Sequence, residues 1–142
     1  MSAPRKDPVP QGKYVPAARG GNLVFTAGMT PRENGVLQFS GKVEAGEPVE
    51  KYREAARLAA ANALTAARNR LEPGEKITRV LSMTVYVNAV EGFTAHSKIA
   101  DFASEYLCEE LGEAGTAARA AIGVASLPGE APVEVQIVCM AE

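Results

Sequence analysis

The sequence predicts an α+β fold, one β-sheet with two helices packed on one of its faces. Three observations lead there. The candidate elements fall in the order strands, long helix, strand, helix, two strands. The strand candidates alternate apolar and polar residues with a period of two, whereas the helix candidates repeat at three and four. Two helices can cover only one face of one sheet. A length of 142 residues suits one domain, 1–142.

Taken in order, residues 1–13 hold Pro4, Pro8 and Pro10 and read as a flexible arm or an edge segment. Residues 22–27 form a strand bounded by Gly20, Gly21 and Gly28. Pro31, Asn34 and Gly35 mark a turn, and 36–43 is a weaker strand candidate. Pro48 stands where a helix begins, and Glu47 and Glu50 suit its positive end. The run 49–70 is rich in Ala, Arg and Leu without Gly or Pro, and Tyr52, Ala55, Ala56, Ala59, Ala63 and Ala66 make one stripe. Pro73 and Gly74 end it.

The clearest strand is 77–88, with Leu81, Met83, Val85 and Val87 on one face and Val80, Ser82, Thr84 and Tyr86 on the other. A second amphipathic helix spans 93–111, where Ile99, Phe102, Ala103, Tyr106 and Leu107 recur at helical spacing before Gly112. Two last strands flank a break at 127–132 that contains Pro128, Gly129 and Pro132. In the first, Arg119, Ala121, Gly123 and Ala125 share a face. In the second, Val133, Val135, Ile137 and Cys139 alternate with Glu134, Gln136, Val138 and Met140.

Arg119, Ala121, Gly123, Ser82, Thr84 and Tyr86 are expected together on the sheet face without helices. A face of small residues beside one long cation leaves space for a ligand or another protein surface. Self-association would cover it. A hairpin centred on 127–132 would pair Arg119 with a residue well past Glu134. The two need not touch within one subunit, and a cleft can draw residues from two chains.

Composition excludes several functions. The chain is 46% hydrophobic and 23% charged, an ordinary globular balance. A net charge of −2 gives no basic footprint for nucleic acid. No apolar run reaches the roughly 18 residues of a membrane span. The N-terminus lacks the apolar stretch of a secretion signal, so a cytoplasmic protein with free thiols at Cys108 and Cys139 is expected. Both cysteines read as packing residues. One histidine, His96, and no Cys or His cluster predict no metal site. His96 reads as a surface or partly packed residue. Gly20 and Gly21 lack the Lys-Ser/Thr of a phosphate loop, and no cofactor is expected.

Several blocks resemble one known family. They are Gly12 to Tyr14, Gly21 to Gly28, Gly41 to Val43, Ala118-Arg119, Gly123 to Ala125, Leu127-Pro128 and Val133 to Val135. In this order they resemble the RidA family, also called YjgF/YER057c/UK114, over residues 10–141. The resemblance implies a chorismate-mutase-like fold with a mixed β-sheet, assembled as a homotrimer with clefts between subunits. It implies that Arg119 holds the carboxylate of an imine or enamine derived from an amino acid, through two parallel hydrogen bonds. Glu134 would place the attacking water. Tyr14 and Gly28 would line the substrate site.

Each residue also has a plainer reading. Arg119 could be a surface ion pair, Glu134 a solvated strand residue, Tyr14 a half-buried edge aromatic, and Gly28 a turn glycine. Two positions depart from the family pattern. Ala27 stands where many members have Ser, and Ala121 where many have Cys. The first removes a hydroxyl that could orient substrate, and the second makes thiol chemistry impossible there.

The function implied by the resemblance is a cofactor-free enamine/imine deaminase. It would convert 2-aminoacrylate or related α-imino acids to 2-oxo acids and ammonia. An alternative keeps the pocket and drops the chemistry, leaving a module that binds 2-oxo acids or amino acids. An endoribonuclease is a third reading, opposed by the acidic balance and the single histidine. Chorismate mutase chemistry, suggested by fold analogy alone, needs several cations where only Arg119 is placed.

Overall fold

A computed structural model describes residues 5–142. Five strands form one sheet: β1 (Ala17–Gly20), β2 (Leu23–Thr26), and a short two-stranded ribbon apart from it, β3 (Arg32–Glu33) with β4 (Val36–Leu37), precede β5 (Ile77–Asn88), β6 (Ala118–Val124) and β7 (Val133–Ala141). The sheet order is β1-β2-β7-β5-β6. The β5–β6 pair is parallel and the others are antiparallel, so the sheet is mixed. Helices α1 (Arg53–Arg68) and α2 (His96–Leu111) supply the second layer. Parallel neighbours need a crossover, and α2 is the crossover from β5 to β6.

The core lies between the layers. Val24, Val80, Met83, Val85, Val87, Val133, Val135, Ile137 and Cys139 of the sheet are buried, as are Ile99, Ala103 and Leu107 of α2. The expected stripe of the first helix is buried throughout, Tyr52, Ala55, Ala56, Ala59, Ala63 and Ala66. A 3-10 turn, Val49–Tyr52, precedes α1, with Pro48 at its N-cap. The second helix starts later than its periodicity predicts, at His96, and Phe93 packs from the loop before it.

Four expectations need correction. The segments before and after the 127–132 break are not a hairpin, because β5 lies between β6 and β7. Both β5 and β7 carry faces of large, fully buried residues and take central positions, while small-residue β6 takes the edge. Next, a register shift between Val80 and Ser82 changes the phase of β5. It buries Val80 as well as Met83 and turns Leu81 outward, the reverse of simple alternation. Of the expected strand 36–43, only β4 is strand, and Val43 makes an isolated parallel bridge with Ala89.

The fourth correction concerns sidedness. The β5–β6 register aligns Met83 with Arg119, Val85 with Ala121 and Val87 with Gly123. Those partners in β5 are buried, so Arg119, Ala121 and Gly123 face the helices, not the open side. Their small size reflects the close approach of α2. Ala121 packs against the core, and a Cβ on Gly123 would lie 2.6 Å from His96 Nε2. The open face instead carries Ser82, Thr84 and Tyr86 with Ala118, Ala120 and Ile122, then Glu134, Gln136 and Val138, then Phe25.

Residues 1–4 of the expected arm lie outside the described residues. The rest of it is anchored to α1 and the residues that follow. Asp7 accepts from Asn69 Nδ2 at 2.9 Å and pairs with Arg70 at 2.6 Å. Arg5 donates to Asn62 Oδ1 at 3.4 Å. Among the described residues no helix is long and apolar enough to cross a membrane.

Close packing of α1 makes a test. Ala63 is fully buried. Ala63→Leu adds volume with nowhere to go and is expected to cost about 1–3 kcal/mol, read as a lower urea midpoint. An unchanged midpoint would mean that the helix has slack against the sheet.

Candidate functional site

The open end of the sheet brings Gly28 and Glu134 together. Glu134 follows the buried Val133 on β7 and alternates onto the open face beside Tyr86. Gly28 leaves β2 just before Met29, which exchanges two backbone hydrogen bonds of 2.8 Å with Val135. This places the Gly28 backbone against the Glu134 side chain. A Cβ at position 28 would overlap the Glu134 carboxylate and lie 2.8 Å from its Cδ. Glycine is required there for close approach, not for a special backbone angle.

The Glu134 carboxylate is half-buried, and burial raises its pKa above the ordinary carboxylate value. Among the described residues it has neither a hydrogen bond nor an ion pair. Nearby, Gln136 donates to the Thr26 carbonyl at 3.2 Å and accepts from the Tyr86 hydroxyl at 3.4 Å. A half-exposed carboxylate with a raised pKa and a free face is suited to take a proton from water.

Tyr14 is reached from the other side of Gly28. Both line a cavity of about 320 Å³, together with Thr30, Arg32 and Asn62. The Tyr14 hydroxyl accepts from the Gln11 backbone N–H at 2.8 Å, and the ring stays largely exposed. Asn62 is buried and donates to the Thr30 and Arg32 carbonyls at 3.1 and 2.9 Å, which fixes the cavity wall.

Arg119 lies elsewhere. It faces α2, on the opposite side of the sheet from Glu134. Its Nη1 donates to Asp101 Oδ1 at 2.8 Å and to Ser104 Oγ at 2.9 Å. Its Nη2 donates to Ser97 Oγ at 2.7 Å and the Ser97 carbonyl at 3.3 Å. Within one chain, therefore, Gly28 meets Glu134 on one side and shares a cavity with Tyr14 on the other, and Arg119 is near neither. The plainer reading of Arg119 as an ion pair is satisfied in the isolated chain, and Asp101 is its partner.

Sequence reasoning missed the residues around Arg119. Ser97, Asp101 and Ser104 stand at i, i+4 and i+7, one stripe of α2, a spacing that could have been paired with the arginine. His96 lies over the backbone at Gly123 and meets Phe93 edge-on with ring centres 5.1 Å apart. It is packed against β6, not loose on the surface. At the end of β5, buried Asn88 accepts from Lys42 Nζ at 2.8 Å and donates to the Ala131 carbonyl at 3.1 Å, which fastens the chain that turns into β7.

The thiols take no part in this arrangement. Cys139 is buried, and burial pushes its pKa up to about 12, so it stays protonated. No group of three His, Cys, Asp or Glu among the described residues could hold a metal ion.

The raised pKa of Glu134 has a sign that can be tested. The folded chain holds this proton more tightly than the unfolded chain does. Stability therefore falls as pH rises through the interval between the two pKa values. Glu134→Gln removes that cost. The variant is expected to be more stable than wild type near neutral pH and to lose the advantage below about pH 4, where both side chains are neutral. Urea unfolding at the two pH values checks it.

Comparison with known proteins gives a consistent relationship. The sequence profile of the Endoribonuclease L-PSP family matches residues 4–141. Protein TCP17 of Trypanosoma cruzi is 32% identical over 127 residues, which is 89% of this chain and 79% of TCP17. The crystal structure of Atu1372 from Agrobacterium tumefaciens, a protein of unknown function, superposes with a TM-score of 0.82 at 35% identity, covering 92% of this chain and 82% of that one. The fold is shared with E. coli TdcF, solved with bound serine, at a TM-score of 0.68 and 20% identity over 94% of this chain and 92% of that one. With the motif blocks and the five-stranded mixed sheet, these matches establish that the chain belongs to the Endoribonuclease L-PSP family, the YjgF/RidA family.

Proposed function

We propose that this protein is a cofactor-free enamine/imine deaminase whose cleft forms between subunits of a homotrimer in the cytoplasm. The observation that carries this reading is the apposition of Gly28 and Glu134. The glycine leaves room for a half-buried carboxylate that has no side-chain partner among the described residues. Such a carboxylate is suited to act as a general base.

In this reading Arg119 holds the substrate carboxylate. Glu134 takes a proton from water while the water oxygen bonds to the imine carbon, and it returns that proton to the imine nitrogen to give an aminocarbinol. The hydroxyl proton of this intermediate passes through Glu134 to the amine, the carbon–nitrogen bond breaks, ammonia departs, and a 2-oxo acid remains. These imines hydrolyse readily in water, so orientation and modest proton transfer suffice. Arg119 and Glu134 lie on opposite faces within one chain, and one subunit cannot bring both to one small molecule. Because β6 is an edge strand, a second chain can bring its Glu134 to the edge where Arg119 lies. Exposed Leu23, Phe25 and Ile122 on the open face give such a contact apolar area to bury. The serine bound to TdcF supports a ligand of amino-acid type.

A second reading, a module that binds 2-oxo acids or amino acids without turnover, is favoured by one observation. Ala27 and Ala121 leave the site without the hydroxyl and thiol of many members. Endoribonuclease action would need a cationic path for the phosphate backbone, and the net charge of −2 offers no such excess.

The test couples an amino acid oxidase, which generates α-imino acids, to trapping by semicarbazide. Wild type is expected to compete with the trap. Arg119→Ala is expected to lose about 10- to 100-fold in this competition, the worth of a hydrogen bond to a charged group. Saturable binding of 2-oxo acids with no competition across several side chains would favour the binding module.

A further inference from the structure

The deaminase reading leaves Asp101 without a role. We propose that Asp101 is an internal competitor for the ligand, a carboxylate that occupies Arg119 in the empty site and must leave when a substrate carboxylate arrives. The inference rests on Arg119 as the anchor.

Arg119 has four acceptors, and they are unequal. Three are neutral: the hydroxyls of Ser97 and Ser104 and the Ser97 carbonyl. They fix the plane of the guanidinium from α2. The fourth, Asp101 Oδ1, is the one anion in the group and touches Nη1 alone. The Asp101 side chain is 58% exposed, whereas that of Arg119 is 20% exposed. Asp101 therefore closes the water-facing side of a cation that is otherwise held from within.

An exposed single-contact ion pair contributes little, because water and salt screen it. A ligand carboxylate can take two parallel hydrogen bonds from the same guanidinium. It can displace Asp101 from Nη1 and the long 3.3 Å Ser97 carbonyl contact from Nη2, and leave the two serine hydroxyls in place. Each serine hydroxyl accepts from Arg119 and retains its own hydrogen to donate to the arriving carboxylate. The cradle is thus built for an anion and carries its own. Asp101 caps the exposed side of Arg119 when no ligand is bound and weakens the hold on carboxylate products.

Pyruvate is the probe, with binding to the full chain followed by calorimetry. Asp101→Asn is expected to bind pyruvate roughly two- to fivefold more tightly than wild type, the contribution of an exposed ion pair. Asp101→Ala should do the same. The gain is expected to vanish in an Arg119→Ala background. Unchanged or weaker binding by both Asp101 variants overturns the proposal, because a merely structural aspartate would lower affinity when removed. A gain that persists without Arg119 overturns it too, as does absence of binding in wild type and both variants. The anchor reading has its own arm: if Arg119→Ala binds pyruvate as wild type does, the anchor fails whatever Asp101 does.

Discussion

The central position of β5 is the constraint on which the rest of the structure depends. It hydrogen-bonds antiparallel to β7 on one side and parallel to β6 on the other. The parallel pair cannot be joined by a short turn, so α2 must cross over the sheet between them. That crossover lays α2 along the covered face of β6. Arg119 then meets Ser97, Asp101 and Ser104, and Gly123 meets His96. The antiparallel pair fixes the phase of β7, which sends Val133 and Val135 inward and Glu134 outward. One strand thereby sorts the two candidate functional groups onto opposite faces of the sheet.

Much of this was legible in the sequence because side-chain period reports directly on burial. The limits of β5 were readable as 77–88, and the alternation of β7 separated Glu134 from the buried Val133 and Val135. The alanine stripe of α1 was legible only in part: with alanine on nearly every face, periodicity marked its buried side poorly, and Ala60, Ala61 and Ala67 outside the stripe are buried as well. Three things were not legible. Alternation shows which residues share a face but not which face the helices cover, so Arg119 was assigned to the wrong side. Small residues on β6 were read as room for a partner, when α2 of the same chain fills that room. The irregularity near Leu81 leaves no mark in the residue types, since Val80 and Leu81 are both apolar.

The candidate site divides in the same way. The contact of Gly28 with Glu134 depends on a bridge between residues over a hundred positions apart, Met29 and Val135. The motif resemblance pointed at both residues, but their mutual contact is a product of the sheet. The partners of Arg119 were within reach of simple helical spacing. They went unnoticed because serine and aspartate on a helix ordinarily face water. His96 was judged by its isolation in the sequence, whereas its position over a glycine gives it a fixed place on β6.

The alanines of α1 have a further consequence for the thermodynamics of the fold. Eight of them, Ala55, Ala56, Ala59, Ala60, Ala61, Ala63, Ala66 and Ala67, are buried. Burying a leucine gains more apolar area but freezes rotamers at about 0.5–1 kcal/mol of entropy, and alanine has none to freeze. The helix therefore gains less on collapse and also loses less. Apart from Asn62, Leu64 and Thr65, what it buries has no alternative side-chain states. The layer behind β7 therefore has few rotamers to rearrange, and the strand that carries Glu134 rests on it.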